Sequence, residues 1–254
     1  MTSTVKSFNV TTINARSILS CSRIYPYTIN PYRGCAHACK YCYAVFMKRF
    51  SGHREKWGDF VDVKVNAAEV LSREIKKKPR GRVWISGVCD PYQPLEEAYR
   101  LTRRCLEVLV TQGWEFVIQT KSPLALRDLD VLKGYPYGEV CYSIATADEE
   151  IRKIFEPQAP AIKERIAALD RWHEAGIKTA VMIAPLLPSA ENLVEKLLGK
   201  VDYVLIDRMN YRYADSIYRK YGLTWAKREE FFFATARKIR EGFLRHEVPC
   251  DILF

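Results

Sequence analysis

The run Asn30-Pro31-Tyr32-Arg33-Gly34-Cys35-Ala36-His37-Ala38-Cys39-Lys40-Tyr41-Cys42-Tyr43 carries three cysteines at C-x3-C-x2-C spacing. Whatever fold surrounds it has to present those sulfurs on one loop. Three soft thiolates so closely spaced read as a metal site. A [4Fe-4S] cluster normally takes four cysteines. With Cys35, Cys39 and Cys42 as its ligands, one iron lacks a protein partner and is open to a small molecule. Zinc held by the same three cysteines plus His37 is the rival reading. His37 lies between two of the ligands, which makes that reach awkward. Gly34 lets the backbone turn closely into the loop.

The chain has 254 residues, a length that one α/β barrel fills without a linker. It shows no Gly/Ser-rich or Pro-rich linker, no low-complexity tract and no short-period repeat. We therefore expect a single domain over 1–254: an N-terminal extension at 1–25, a barrel core at 26–210 and a C-terminal helical part at 211–254. The polar start of the chain is not a signal peptide, and no apolar run is long enough to span a bilayer. That implies a soluble cytoplasmic protein. A disulfide framework from the eight cysteines does not suit a large chain without a secretory segment. Cys105 falls on an apolar helix face with Leu101 and Leu109. Oligomeric state carries no readable signal.

Apolar runs alternate with amphipathic segments from the cysteine loop onward. Strands are expected over 27–30, 82–88, 115–120, 139–145, 177–184 and 203–207. Helices are expected over 66–78, 101–111, 123–132, 161–175, 190–198 and 224–244, the last with Thr224 as its N-cap and Gly176 closing the fourth. Roughly six β/α units with continuous apolar strands argue a parallel sheet with right-handed crossovers. A doubly wound open sheet satisfies the same pattern. Two-residue alternation places Ser143 on one face with Cys141 and Ala145, and Val140, Tyr142 and Ile144 on the other, against the helices.

The formal charge is +10, which permits a nucleic-acid partner. Lys76, Lys77 and Lys78 close a helix, where cations complement its dipole, on the side away from an active site. Arg208, Tyr211, Arg212 and Tyr213 follow a strand instead, and interleaved Arg and Tyr can grip phosphates and stack on bases.

C-x3-C-x2-C with an aromatic residue before the last cysteine resembles the radical S-adenosylmethionine (SAM) superfamily. Asp90-Pro91-Tyr92-Gln93-Pro94, Gln119-Thr120-Lys121-Ser122, Tyr142-Ser143-Ile144 and Phe155-Glu156-Pro157 are similar to its spore-photoproduct-lyase-like branch, also called DNA repair photolyase-like. The resemblance implies a partial (β/α)6 TIM-type barrel with its active site at the C-terminal ends of the strands. It implies a [4Fe-4S] cluster on Cys35, Cys39 and Cys42, with SAM bound to the open iron. It implies SAM cleavage to a 5′-deoxyadenosyl radical, driven by a reducing donor such as ferredoxin or flavodoxin. Tyr41 and Tyr43 then flank the cluster, Lys121 meets the SAM carboxylate, and Ser143 contacts SAM. Asp90 is a candidate for the SAM amine or ribose, with Gln93 on the same loop. Cys89 lies in the region where the lyase, slightly further before its aspartate, has a cysteine that donates a hydrogen atom to a product radical; the resemblance thus makes Cys89 a donor candidate, with the alternative that it lines the barrel mouth. The implied substrate is a nucleic acid, acted on by lesion repair or modification. A protein or small-molecule substrate is the alternative, and a non-catalytic iron-sulfur or zinc protein is the alternative of another class.

Overall fold

The computed structural model describes residues 9–254 and folds them around two sheets. Residues 1–8, part of the expected N-terminal extension, lie outside the described residues. The strands are β1 (Asn9–Ile13), β2 (Ser20–Cys21), β3 (Tyr27–Ile29), β4 (Tyr32–Arg33), β5 (Phe60–Lys64), β6 (Val83–Ile85), β7 (Phe116–Thr120), β8 (Gly138–Ser143), β9 (Lys178–Ile183), β10 (Tyr203–Ile206) and β11 (Cys250–Ile252). The main sheet runs β11-β10-β9-β8-β7-β6-β3-β2. Neighbours from β3 to β11 pair in parallel, and β2 closes one edge antiparallel to β3. Each parallel strand is added on the same side of the last. A doubly wound sheet reverses its order at a switch point; this one does not, so it is the α/β, barrel-type arrangement.

The two faces divide as the alternation predicts. Val140, Tyr142 and Ile144 join the large core with Leu106 and Leu109 of the helix Leu101–Thr111 and with Leu169 and Trp172 of the helix Ile162–Glu174. The other face gathers Val117, Cys141 and Ala180, with Trp84, Met182 and Tyr203 packed against them. On β8 the inward Cys141 and Ser143 are smaller than the outward Val140 and Tyr142, as suits a curved sheet with helices on its convex side.

Most expected elements form, with shorter ends. Three differences have physical causes. The long C-terminal helix spans Glu229–Leu244, and Thr224 instead opens a separate 3-10 turn, Thr224–Lys227. A seventh parallel strand, β11, forms within the part expected to be helical, pairing with β10 from Val204–Cys250 to Ile206–Ile252. The helix Glu149–Phe155 was not expected; the Asp148 carboxylate caps it by accepting from the backbone N–H groups of Glu150 and Ile151.

The second sheet was not foreseen either. Its order is β1-β5-β4. It forms a platform beside the cysteine loop, because β4 runs directly into Gly34. There φ is +92°, and an added Cβ would stand 2.3 Å from the carbonyl oxygen of Phe60 on β5. Only glycine tolerates both the left-handed backbone and that approach. No helix among the described residues is long and apolar enough to cross a membrane.

The N-terminal ends of the strands are closed by a polar plug. Glu139 at the start of β8 is buried, and it accepts from Arg82 Nη2 at 2.6 Å and from the Tyr203 hydroxyl. Lys178 Nζ stands 3.4 Å away. We predict that Glu139→Ala costs about 1–3 kcal/mol in denaturant unfolding, with SAM affinity unchanged, because the plug lies at the end of the sheet opposite the cysteine loop.

Candidate functional site

The C-terminal strand ends gather the residues singled out in the sequence. The cysteine loop follows β4, Cys89 and Asp90 follow β6, Lys121 follows β7, and Ser143 ends β8. Cys35 is buried, and Cys39 and Cys42 are partly buried beside it. Burial pushes the Cys39 thiol up to about 12; Lys121 opposes the rise, and Glu156 and Cys42 add to it. Burial likewise raises Cys42, against the backbone N–H groups of Ala44 and Val45 and the Trp57 indole N–H. Two of those donors belong to the first turn of the 3-10 helix Tyr43–Phe50, which opens directly after Cys42. Cys35 is raised most by burial, and the Asp90 backbone N–H opposes that. Buried thiols aided by N–H donors ionise fully only beside added positive charge, as metal-bound cysteines do. His37 is buried, and its Nδ1 has no hydrogen-bond partner among the described residues, so it remains available to a bound group. The donor set therefore fits a [4Fe-4S] cluster.

Asp90 is the brace of this mouth. Its Oδ1 accepts from Thr120 Oγ1 at 2.7 Å and from the Tyr92 backbone N–H at 2.9 Å. Its Oδ2 accepts from the Lys121 backbone N–H at 2.7 Å and faces His37 Nε2 at 3.2 Å. Both oxygens are thus occupied within the protein, which leaves little for the SAM amine or ribose expected from the sequence. Gln93 works beside it, accepting from the Ala36 backbone N–H at 2.9 Å and donating to the Gly34 carbonyl at 3.3 Å. The Asp90-to-Gln93 motif holds the cysteine loop by its backbone.

Behind the loop lies a buried network that sequence reasoning left without a chemical role. Glu156 accepts from the Tyr41 hydroxyl, and Arg165 Nη2 stands 2.6 Å from its other oxygen. Burial raises the Glu156 pKa, but Arg165 and Lys121 overcome it and hold the carboxyl lowered. Arg165 also donates to the Ser143 carbonyl at 3.1 Å. A signal existed: Arg165 falls between Ile162 and Leu169 on the apolar stripe of its helix, where a charge needs a buried partner.

Lys121 is partly buried, with its ammonium 5.9 Å from the centre of the Tyr41 ring. That ammonium makes no hydrogen bond among the described residues, so it is free to meet a carboxylate. Ser143 Oγ accepts from Gln119 Nε2 at 3.2 Å, and Gln119 Oε1 accepts from Trp84 Nε1 at 2.9 Å. That chain lines the concave face. Tyr43 donates its hydroxyl to the Gly87 carbonyl and is 37% exposed. Cys89 lies 3.0 Å from Ser86 Oγ and 3.4 Å from the Tyr32 carbonyl, and it packs with Val61 and Val63 of the small sheet. Burial pushes its thiol up to about 11, so it stays protonated near neutral pH.

The Asp90 brace has a pH signature. Burial alone raises the carboxyl, but His37, Thr120 and the Lys121 N–H together pull it down to about 2. A depressed carboxyl stabilises the fold fully above its unfolded value, near 3.8, and that stability is lost as pH falls through the folded value. Asp90→Asn should cost about 2 kcal/mol at pH 7. The gap to wild type should narrow from about pH 4 to about pH 2. Denaturant unfolding of both proteins across that range checks it; a gap that stays constant would mean the charge contributes nothing.

Comparison with known proteins agrees with this geometry. The Radical SAM superfamily model matches residues 29–198. An uncharacterized protein of Methanocaldococcus jannaschii is 38% identical over 174 residues, covering 68% of this chain and 65% of that protein. The chain thus spans just under two thirds of that relative's length. A radical SAM Nalpha-GlyT isomerase of Pseudomonas phage M6 is 25% identical over 160 residues, covering 62% of this chain and 32% of the isomerase. Among solved structures, spore photoproduct lyase complexed with dinucleoside spore photoproduct superposes with a TM-score of 0.73 at 16% identity, covering 96% of this chain and 82% of the lyase. Streptococcus suis SuiB bound to S-adenosylmethionine gives 0.58 at 15% identity, covering 97% and 50%. With its cysteine loop, its consecutive parallel strands and the family match over residues 29–198, this chain belongs to the radical SAM superfamily, whose resident groups are a [4Fe-4S] cluster and S-adenosylmethionine.

Proposed function

We propose that the chain is a radical SAM enzyme acting on a nucleic acid, by lesion repair or modification. The cluster and SAM, when bound, supply a 5′-deoxyadenosyl radical after one-electron reduction. Cys35, Cys39 and Cys42 would hold the cluster, with Tyr41 and Tyr43 flanking it. Lys121 would neutralise the SAM carboxylate, and Ser143 would line the SAM pocket with Gln119. Asp90 and Gln93 would act by positioning the loop. Electrons would come from a ferredoxin or flavodoxin. Cys89, kept as a thiol by burial, has the protonation state that a hydrogen-atom donor needs. Its present contacts with Ser86 and the Tyr32 carbonyl mean that it would have to turn toward the mouth to serve.

One observation carries the choice of nucleic acid: three exposed cations on the segments bordering the cysteine loop are not paired with acids. Lys40, Arg49 and Arg212 are exposed and form no ion pair among the described residues, and Lys48 spends its ammonium on the Arg54 carbonyl. Of the other basic residues singled out in the sequence, Arg208 pairs with Glu229 at 2.9 Å and Lys78 donates to the Leu19 carbonyl, whereas Lys76 and Lys77 are exposed and form no ion pair among the described residues, at a helix end away from the loop. The emphasis expected for Arg208 therefore moves to Arg212 and the cysteine-loop helix. The fold likeness to a lyase complexed with a dinucleoside photoproduct supports the same substrate class.

Two measurements test the reading. Lys121→Ala should lower SAM affinity of the reconstituted protein roughly tenfold or more, the loss of one charge-assisted contact; unchanged affinity in a folded variant would remove Lys121 from the pocket. For the substrate, Lys48→Glu/Arg49→Glu should weaken nucleic-acid binding far more than Lys76→Glu/Lys77→Glu. It should also flatten the dependence of log affinity on log salt by about two. Equal losses would signal diffuse electrostatics, and no binding at moderate salt would favour the protein or small-molecule substrate.

A further inference from the structure

Four aromatic rings from two distant segments stand in a row on the surface beside the cysteine loop. Tyr43, immediately after the ligand candidate Cys42, lies 6.5 Å from Phe46 at 23° on one side and 6.0 Å from Tyr211 at 20° on the other. Tyr211 continues to Tyr213 at 5.8 Å and 25°. All four are exposed, from 37% for Tyr43 to 51% for Tyr211. The core pair Phe155 and Tyr218, by contrast, sits 4.8 Å apart with both residues fully buried. Exposing a row of such rings forfeits the burial that normally stabilises them. Packing thus accounts for only part of the row.

The surroundings are basic. The Arg49 guanidinium lies 5.7 Å from the Phe46 ring centre and 4.7 Å from that of Phe50. Arg212 stands exposed between Tyr211 and Tyr213. A surface groove lined by Phe46, Lys48, Arg49 and His53 adjoins the row. The acidic side chains near the tyrosine segment are already engaged: Asp207 accepts from Asn210, Asp215 from Lys227, and Glu229 from Arg208.

We propose that this row is a stacking platform for an unpaired nucleic-acid strand, which it leads toward the cluster loop through Tyr43. The inference rests on the nucleic-acid reading above and narrows it to unpaired bases. Ring faces accept any base, and cations alongside track the phosphates, the combination that single-strand binders use. A duplex stacks its bases on one another and offers only their edges, so it cannot use the faces of the row. The target of chemistry at the mouth has to leave a duplex in any case.

The test uses the full chain with its cluster reconstituted, and anisotropy of three labelled probes: an oligothymidylate, an abasic strand of equal length and charge, and a duplex. The oligothymidylate should bind about tenfold or more tighter than the abasic strand. Tyr211→Ala/Tyr213→Ala should abolish most of that preference and leave abasic-strand affinity unchanged. Tyr211→Phe/Tyr213→Phe should retain it, because the ring face and not the hydroxyl acts. Both variants change exposed side chains, and iron content with circular dichroism verifies their folding. Equal binding of oligothymidylate and abasic strand, a base preference that survives the double Ala change, or a preference for duplex would each overturn the platform while leaving a phosphate-binding enzyme. Displacement of oligothymidylate by polyglutamate at equal charge concentration would mark a general anion surface and overturn it too. Absence of binding by all three probes would remove the nucleic-acid reading together with the platform.

Discussion

The Asp90 carboxylate joins three segments that the chain makes far apart: the cysteine loop through His37, its own turn through Tyr92, and the end of β7 through Thr120 and Lys121. The cysteine loop has little regular structure to support itself. Its backbone polar groups therefore find partners elsewhere. Gln93 takes Ala36 and Gly34, the Phe155 carbonyl takes the Lys40 N–H at 2.8 Å, and Gly34 leans on β5. These contacts come from both sheets and add to the loop's own turns, Ala38 N–H to the Cys35 carbonyl and Cys42 N–H to the Cys39 carbonyl, so the surrounding fold helps to position the loop.

Charge is divided between the two ends of the sheet. At the N-terminal end, Glu139 draws Arg82 and Lys178 into a plug with no role toward the loop. At the C-terminal end, Glu156 and Arg165 neutralise each other behind Tyr41, and Lys121 keeps its charge on the side of Cys39. Burial opposes ionisation of the sulfurs, and the N–H groups of Ala44 and Val45 with Lys121 lower that cost. A buried pair such as Glu156–Arg165 is weak evidence for stability by itself. Here it supports Tyr41 and the end of β8, which is a positional task.

Much of this was legible. Strand alternation in 139–145 assigned Ser143 and Cys141 to the concave face and Tyr142 to the helices, because side chains on a strand alternate whatever the sheet does next. The helix Ile162–Glu174 buries Arg165 and Ala168 beside Leu169 and Trp172 and leaves Ile166 only half-buried, so its buried stripe does not follow residue polarity. Thr224 looked like an N-cap by residue type, yet the chain makes a separate turn there before Glu229 starts the helix. The small sheet leaves no signal in the sequence, because β4 is two residues long and β1 is mostly exposed, so neither shows an apolar period.

By itself the sequence determined the local and periodic features: three thiols on one loop, the succession of strands and helices, and the face each strand side chain takes. These follow from spacing and two-residue or 3.6-residue periods, which act over a few residues. Tertiary structure alone decided which side chains meet. Glu156 finds Arg165 and Tyr41, Asp90 is consumed as a brace, and Tyr43 joins Tyr211 in one row across a separation that no local pattern records. Partners brought together by strand order are set by the packing of the whole sheet, and the shape and charge of the mouth follow from that packing.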